Sequence, residues 1–124
     1  MFAPETISVD NVKYVREDSV KKSQLASSAT GLPVVIVRSQ SAGVFFGHLV
    51  EQKERVVKMN HCRRLWYWSG AFSLSEMAAY GVSKPKACKF SCFVDTHLVL
   101  DAVEIIFVTS AAADIIHAVP EHKA

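Results

Sequence analysis

Between Leu32 and Val108 the chain is a succession of short segments rich in β-branched and aromatic residues: LPVVIVRS, GVFFGHLVE, ERVVKMN, CRRLWYW, KFSCFVD with THLVL, and AVEIIFV. Segments of this length and composition suit a pleated, half-buried surface and predict strands. Gly43 and Gly47 stand beside or inside the second segment, where glycine marks a bulge or a tight bend. Helical signals occur twice. Ser73-Leu74-Ser75-Glu76 has the S-x-x-E spacing of a capping box, Leu74, Met77 and Ala78 supply an apolar face, and Gly81 stops the pattern before Lys84-Pro85. The second helix is SAAADIIHAV, with Ser110 as its expected N-cap and Pro120 at its end. This ordering predicts an α+β fold: a strongly bent antiparallel sheet or small β-barrel of about five strands, with two short helices.

A chain of 124 residues, 50% of them hydrophobic, has enough apolar surface for one core. Residues 31–124 are therefore expected to form a single compact domain. Residues 1–30 follow a different pattern. Ile7 and Val9 alternate before Asp10-Asn11, and Val12 and Tyr14 follow it, which predicts a β-hairpin arm. SVKKSQLASSATG, small and polar, reads as a linker. An isolated hairpin is marginal in water, so the arm is expected to dock on its own domain or on a neighbouring subunit, with Ile7, Val9, Val12 and Tyr14 as its assembly residues.

Fourteen basic residues against 12 acidic ones give a formal charge of +2, so any electrostatic function must come from local clustering. The apolar runs Val34–Val37 and Ile105–Val108 are too short to span a bilayer, and MFAPETISVD lacks a charged region followed by an apolar one. An unexported protein without a membrane partner is expected. Cys62, Cys88 and Cys92 have no C-x-x-C spacing, which predicts reduced, buried thiols in a reducing compartment and no structural metal. His48, His61, His97, His117 and His122 show no H-x-x-x-H or H-E-x-x-H spacing, and no serine sits in a G-x-S-x-G elbow. With no nucleophile, base and oxyanion donors to name, the expectation is a protein that is not an enzyme and needs no cofactor.

The densest chemistry is NHCRRLWYW, residues 60–68. In a strand, Arg63, Leu65 and Tyr67 share one face while Arg64, Trp66 and Trp68 share the other. One reading puts Trp66 and Trp68 in the core and leaves Arg63 solvated, because aromatic side chains dominate core energetics. The other makes a binding platform: Arg64 beside an aromatic ring holds a phosphate and a stacked base, with Lys58, His61 and Arg63 as supporting charges and Trp66 and Trp68 as stacking surfaces.

Three stretches, VVIVRSQSAGVFFGHLVE, NHCRRLWYWSGAFSLSEMAAYGVSKPKACKF and DAVEIIFVTSAAADIIHAVP, resemble a family of small proteins encoded mainly by tailed bacteriophages. That family shares patterns like Y-S-A-G-V-F, N-A-R-R-L-W-x-W and S-L-S-x-L-A. The resemblance implies a phage origin and carries no assigned activity. A looser likeness, in the order of a bent strand pair, VVKMN and a closing VEIIFV, is to Sm-type small barrels. Combined with the arm, the near-neutral charge and the apolar content, the phage resemblance leads to two expectations. The first is a self-assembling accessory or structural protein of the phage particle, associated with capsid or tail and partnered by itself and other phage structural proteins. The second is a binding module in the host cytoplasm, gripping a nucleotide, RNA or host factor through the arginine–aromatic cluster during takeover or anti-defence.

Overall fold

The computed structural model describes residues 24–123. The arm residues Ile7, Val9, Val12 and Tyr14 lie outside this range. Strands β1 (Val34–Ser39), β2 (Val44–Lys53), β3 (Val56–Tyr67), β4 (Lys89–Val99) and β5 (Ala102–Phe107) form one five-stranded sheet in the order β4-β3-β2-β1-β5. Every neighbouring pair is antiparallel. Helix α1 (Leu74–Tyr80) and a 3-10 turn (Pro85–Ala87) connect β3 to β4, and helix α2 (Ser110–Ala118) follows β5. The expected α+β class, antiparallel sheet and two short helices are all present.

β1 explains why VVIV is apolar without interruption: it lies between β2 and β5, and all four residues are buried. Successive side chains alternate between faces, so the strand feeds two cores. Val34 and Ile36 join Phe46, Leu65, Phe90 and Val108 beneath Met77 and Ala78 of α1 and Ala112 and Ile116 of α2. Val35 and Val37 join Phe45, Val57, Met59, Cys62, Val99 and Ala102 on the opposite face. β4 and β5 are the two edges of the sheet, yet only Leu100 and Asp101 separate them in sequence. Their link is anchored to the β1–β2 turn: the Asp101 carboxylate accepts bonds from the Ser39 and Ser41 hydroxyls and from the Ser41 N–H at 3.1 Å. Those donors hold the Asp101 carboxyl below its usual pKa.

ERVVKMN and CRRLWYW, two segments in the sequence, are one strand here, with an irregularity in the middle. The β2–β3 register shifts between Phe46 and His48, and His61 sits at φ +48°, in the left-handed region that side chains other than glycine rarely adopt. The shift moves the strand's faces by one residue. Val57 and Met59 face one core together with Cys62, after which Arg63 and Leu65 turn to the helix side. Gly47 permits this crossing, because a Cβ there would lie 2.8 Å from the Cys62 Cα and 2.9 Å from the His61 carbonyl oxygen. The bulge expected at Gly47 is therefore present; Gly43 instead serves the β1–β2 turn at φ +107°.

Helix α1 starts as its sequence predicts. The Ser73 hydroxyl accepts the Glu76 N–H at 3.1 Å, although the Glu76 carboxylate returns to the Phe72 N–H rather than to that of Ser73. Gly81, at φ +82°, ends it. The N-cap of α2 is Thr109, one residue before the expected Ser110: its hydroxyl accepts the Ala112 N–H at 3.1 Å and donates to the Ala79 carbonyl at 2.9 Å. Thr109 prevails because one side chain both caps α2 and ties it to α1. The end of the expected linker is also part of the domain. The Ala26 N–H donates to Val108 at 2.8 Å, the Ala26 carbonyl accepts from Val34 at 3.0 Å, and its side chain enters the helix-side core.

Gly47→Ala forces the β2–β3 crossing apart and is expected to cost about 1–3 kcal/mol in urea unfolding, the range for overpacking a tight site. Gly43→Ala meets no atom within 4 Å but must adopt φ +107°, so it is expected to cost through backbone strain alone and to leave the His61 environment unchanged in NMR spectra.

Candidate functional site

The six residues singled out as a platform do not converge. Lys58 is exposed near the start of β3, in a shallow cleft with Glu51, Lys53, Glu54, Val56 and Leu98. Eight residues of strand, about 26 Å, separate it from Trp66. His61 faces the gap between the sheet and α2. Arg64, Trp66 and Trp68 do come together, around a cleft of about 250 Å³ floored by Ala42, Gly43, Val44 and Leu65.

Arg63 is the largest departure from the sequence reading: its side chain is 2% exposed rather than solvated. Its guanidinium lies 4.6 Å from the Phe93 ring centroid and 5.4 Å from that of Phe90. Nε donates to the Ser91 carbonyl at 2.9 Å, and Nη1 reaches the carbonyls of Ile116 at 3.1 Å, His117 at 3.3 Å and Val119 at 3.0 Å. Those three carbonyls end α2: that of Ile116 also accepts the Val119 N–H at 3.3 Å, while those of His117 and Val119 have no backbone donor among the described residues. The cation thus sits at the negative end of the helix dipole and satisfies it. Desolvation lowers the guanidinium pKa from its ordinary value, with the Glu121 charge opposing the shift.

The tryptophans depart in the other direction. Trp66 is 73% exposed rather than buried, while Trp68 is half-buried against the helix-side core. Tyr67 is exposed as well, and beyond β3 Phe72 and Tyr80 are 93% and 76% exposed. The reason is positional. β3 passes the end of its partner β2 at Val44, so its last residues pair with β4 alone and have no strand beside them on the β2 side. Arg64 lies on the other side of the sheet from Arg63, with its guanidinium 4.9 Å from the Phe45 ring centroid. It borders a second cleft, of about 240 Å³, with His97 and the exposed thiol of Cys92. Desolvation, then the Arg64 charge, lowers the His97 pKa. Cys62 and Cys88 are buried as expected and Cys92 is not; burial pushes the Cys62 thiol up to about 12, which makes it inert.

A cluster that sequence spacing does not reveal lies between β2, β3 and α2. His48, His61 and His117 line a cleft of about 200 Å³ with Ser27, Ser110 and Asp114. The His61 ring stacks on Phe93 at 4.1 Å with an interplanar angle of 3°, and its Nε2 is 3.1 Å from Nε2 of His117. The His48 and His61 centroids are 5.4 Å apart. Desolvation, then the charges of His61 and His117, lowers the His48 pKa; desolvation, then His117, lowers that of His61 against the opposing charge of Asp95. These residues come from three elements 13 and 56 positions apart, so no linear motif joins them. The local signal was Gly47 before His48, because the bulge it allows turns His61 toward α2.

Among the described residues, no helix is long and apolar enough to cross a membrane. Residues 32–116 match a family described as Domain of unknown function (DUF6948), and the chain belongs to that family. No curated protein and no solved structure matches it.

Arg63→Ala removes the cap of α2, strands its carbonyls in the core and opens a cavity; a cost of about 3–5 kcal/mol is expected in urea unfolding. Arg64→Ala, on the exposed side, is expected to change stability by less than about 0.5 kcal/mol. Equal effects of the two substitutions would show that the cap contributes nothing.

Proposed function

We propose that this DUF6948 member is a non-enzymatic interaction protein that assembles through protein–protein contacts, first with copies of itself. The observation that carries this reading is the run of exposed aromatic side chains, Trp66, Tyr67, Phe72 and Tyr80, from the end of β3 through α1. Leaving one such ring in water rather than burying it forgoes about 1.5–3 kcal/mol. Aromatic residues flanked by arginine, here Arg64, are enriched where proteins meet. A chain of near-neutral charge has little long-range self-repulsion, which suits a second copy as the occupant. The resemblance to phage proteins supports a phage setting: an accessory or structural component of the particle, or a protein of the host cytoplasm.

The finer architecture belongs to the same proposal. A flat five-stranded sheet would hold its edges about 19 Å apart, whereas the link from Val99 to Ala102 spans at most about 11 Å. This supports a sheet bent strongly into an open barrel around Val35, Val37, Met59 and Val99. Such a body leaves the β3 overhang and α1 at one end as a projecting contact surface.

One observation favours a second reading. Arg64, Trp66 and Trp68 share a cleft, the arrangement in which a cation and aromatic rings hold a nucleotide, a single-stranded nucleic acid or a host factor. Native mass measurement separates the two. The full chain is expected to be an oligomer, and Trp66→Ala with Phe72→Ala is expected to lower its subunit number while circular dichroism and urea midpoint stay close to wild type. An unchanged subunit number removes this surface from assembly. A monomer that binds oligonucleotide with an affinity falling steeply as salt rises, and loses that binding in Trp66→Ala, puts the second reading in its place.

A further inference from the structure

The histidine cluster stands apart from the aromatic surface, and the interaction role makes no use of it. Three features give it the form of a ligand site. The first is spacing. Two nitrogens bound to one zinc-type ion at about 2.0–2.1 Å lie about 2.9 Å apart at a right angle and about 3.4 Å apart at a tetrahedral one. The His61 and His117 Nε2 atoms, at 3.1 Å, fall between those limits. The second is orientation. Phe93 stacks flat on His61, and the left-handed backbone at the bulge directs His61 toward α2 rather than along the sheet. A non-glycine residue in that region is strained, so the surrounding packing must hold it there. The third is the company. His48 is across the cleft, and Asp114 lies one helical turn before His117 and lines the same space.

No hydrogen bond among the described residues engages Nδ1 of His61 or His117. In the metal-free chain one of these Nε2 atoms donates to the other; because neither Nδ1 is engaged, that proton can move to Nδ1 and leave both Nε2 atoms bare for a cation. Imidazole nitrogens suit zinc, nickel and copper, whereas magnesium and calcium prefer oxygen-only sites. Among the described residues no three such side chains already surround a common point, so a third ligand arrives by rotation about its side-chain bonds. His48 is placed to do this: its ring is as close to His61, at 5.4 Å, as the His117 ring is, at 5.2 Å.

We propose that the cleft between β2, β3 and α2 binds one divalent transition-metal ion of the zinc type through Nε2 of His61 and Nε2 of His117, with His48 turning in as the third ligand. The Asp114 carboxylate, in the same cleft, offsets the ion's charge. Because α2 carries His117 and the sheet carries the other two, the bound ion would clamp helix to sheet.

Calorimetry on the full chain, freed of metal by a chelator and titrated with Zn2+ and then Ni2+, tests this. One ion per chain is expected, with a rise in melting temperature on loading. His117→Gln and His48→Gln should each weaken binding at least about ten-fold, whereas His122→Gln, outside the cleft, should bind as wild type does. His117 and Asp114 are exposed, so His117→Gln is expected to keep the wild-type circular dichroism and remain a fair comparison. Copper loaded into the same site should show splitting from at least two imidazole nitrogens in its electron paramagnetic resonance spectrum. Absence of binding at large metal excess, or His117→Gln binding as tightly as wild type, overturns the proposal.

Discussion

A buried guanidinium holds the two layers of this protein together. Arg63 leaves the sheet from the middle of β3 and ends on the last carbonyls of α2, with no carboxylate among its hydrogen-bonding partners in the described residues. A cation taken out of water is costly, and the carbonyl dipoles that compensate it alongside the Glu121 charge converge only when α2 has formed and docked. Helix and strand are thus mutually conditional: the helix-end carbonyls lose their side-chain donor without Arg63, and Arg63 loses most of its acceptors without the helix. Ile116 and Phe90 in the core, and the approach of His117 to His61, follow from that docking.

Much of the fold is legible in the sequence because it is written in local patterns. The β-branched runs become strands, Ser73 and Gly81 bracket α1, and Gly47 marks the bulge. The site is less legible, because burial depends on what each element meets. Trp66 and Arg63 have opposite fates from those their chemical types suggest: the tryptophan lies where β3 overhangs β2, and the arginine where a helix terminus supplies acceptors. Neither fact is present in a strand's alternation alone. The histidine cluster is illegible for a related reason, since it exists only after a one-residue slip in β3 and the return of the chain through α2.

The same slip separates function from structure along a single strand. Up to Met59 the inward residues of β3 serve one core, and beyond the bulge Arg63 and Leu65 serve the other. Between them His61 belongs to neither core and looks into a cleft. Past them the strand carries its aromatic residues out to solvent. Twelve consecutive residues therefore supply packing, a side-chain cluster and an exposed surface in turn.

The pairing of β1 with β5 also sets the order in which the chain can fold. β1 through β4 form a meander with neighbours close in sequence, but the second edge of β1 is closed by residues some 70 positions further along, as in the pair Ile36 with Ile106. Until β5 leaves the ribosome, VVIV presents an unpaired strand edge that is apolar on both faces, the kind of surface that templates aggregation. Contacts of such sequence separation also slow folding, because the long loop must close before any of its pairs contributes. The last fifth of this short chain, with its strand and its capped helix, thus governs how long the central strand remains exposed.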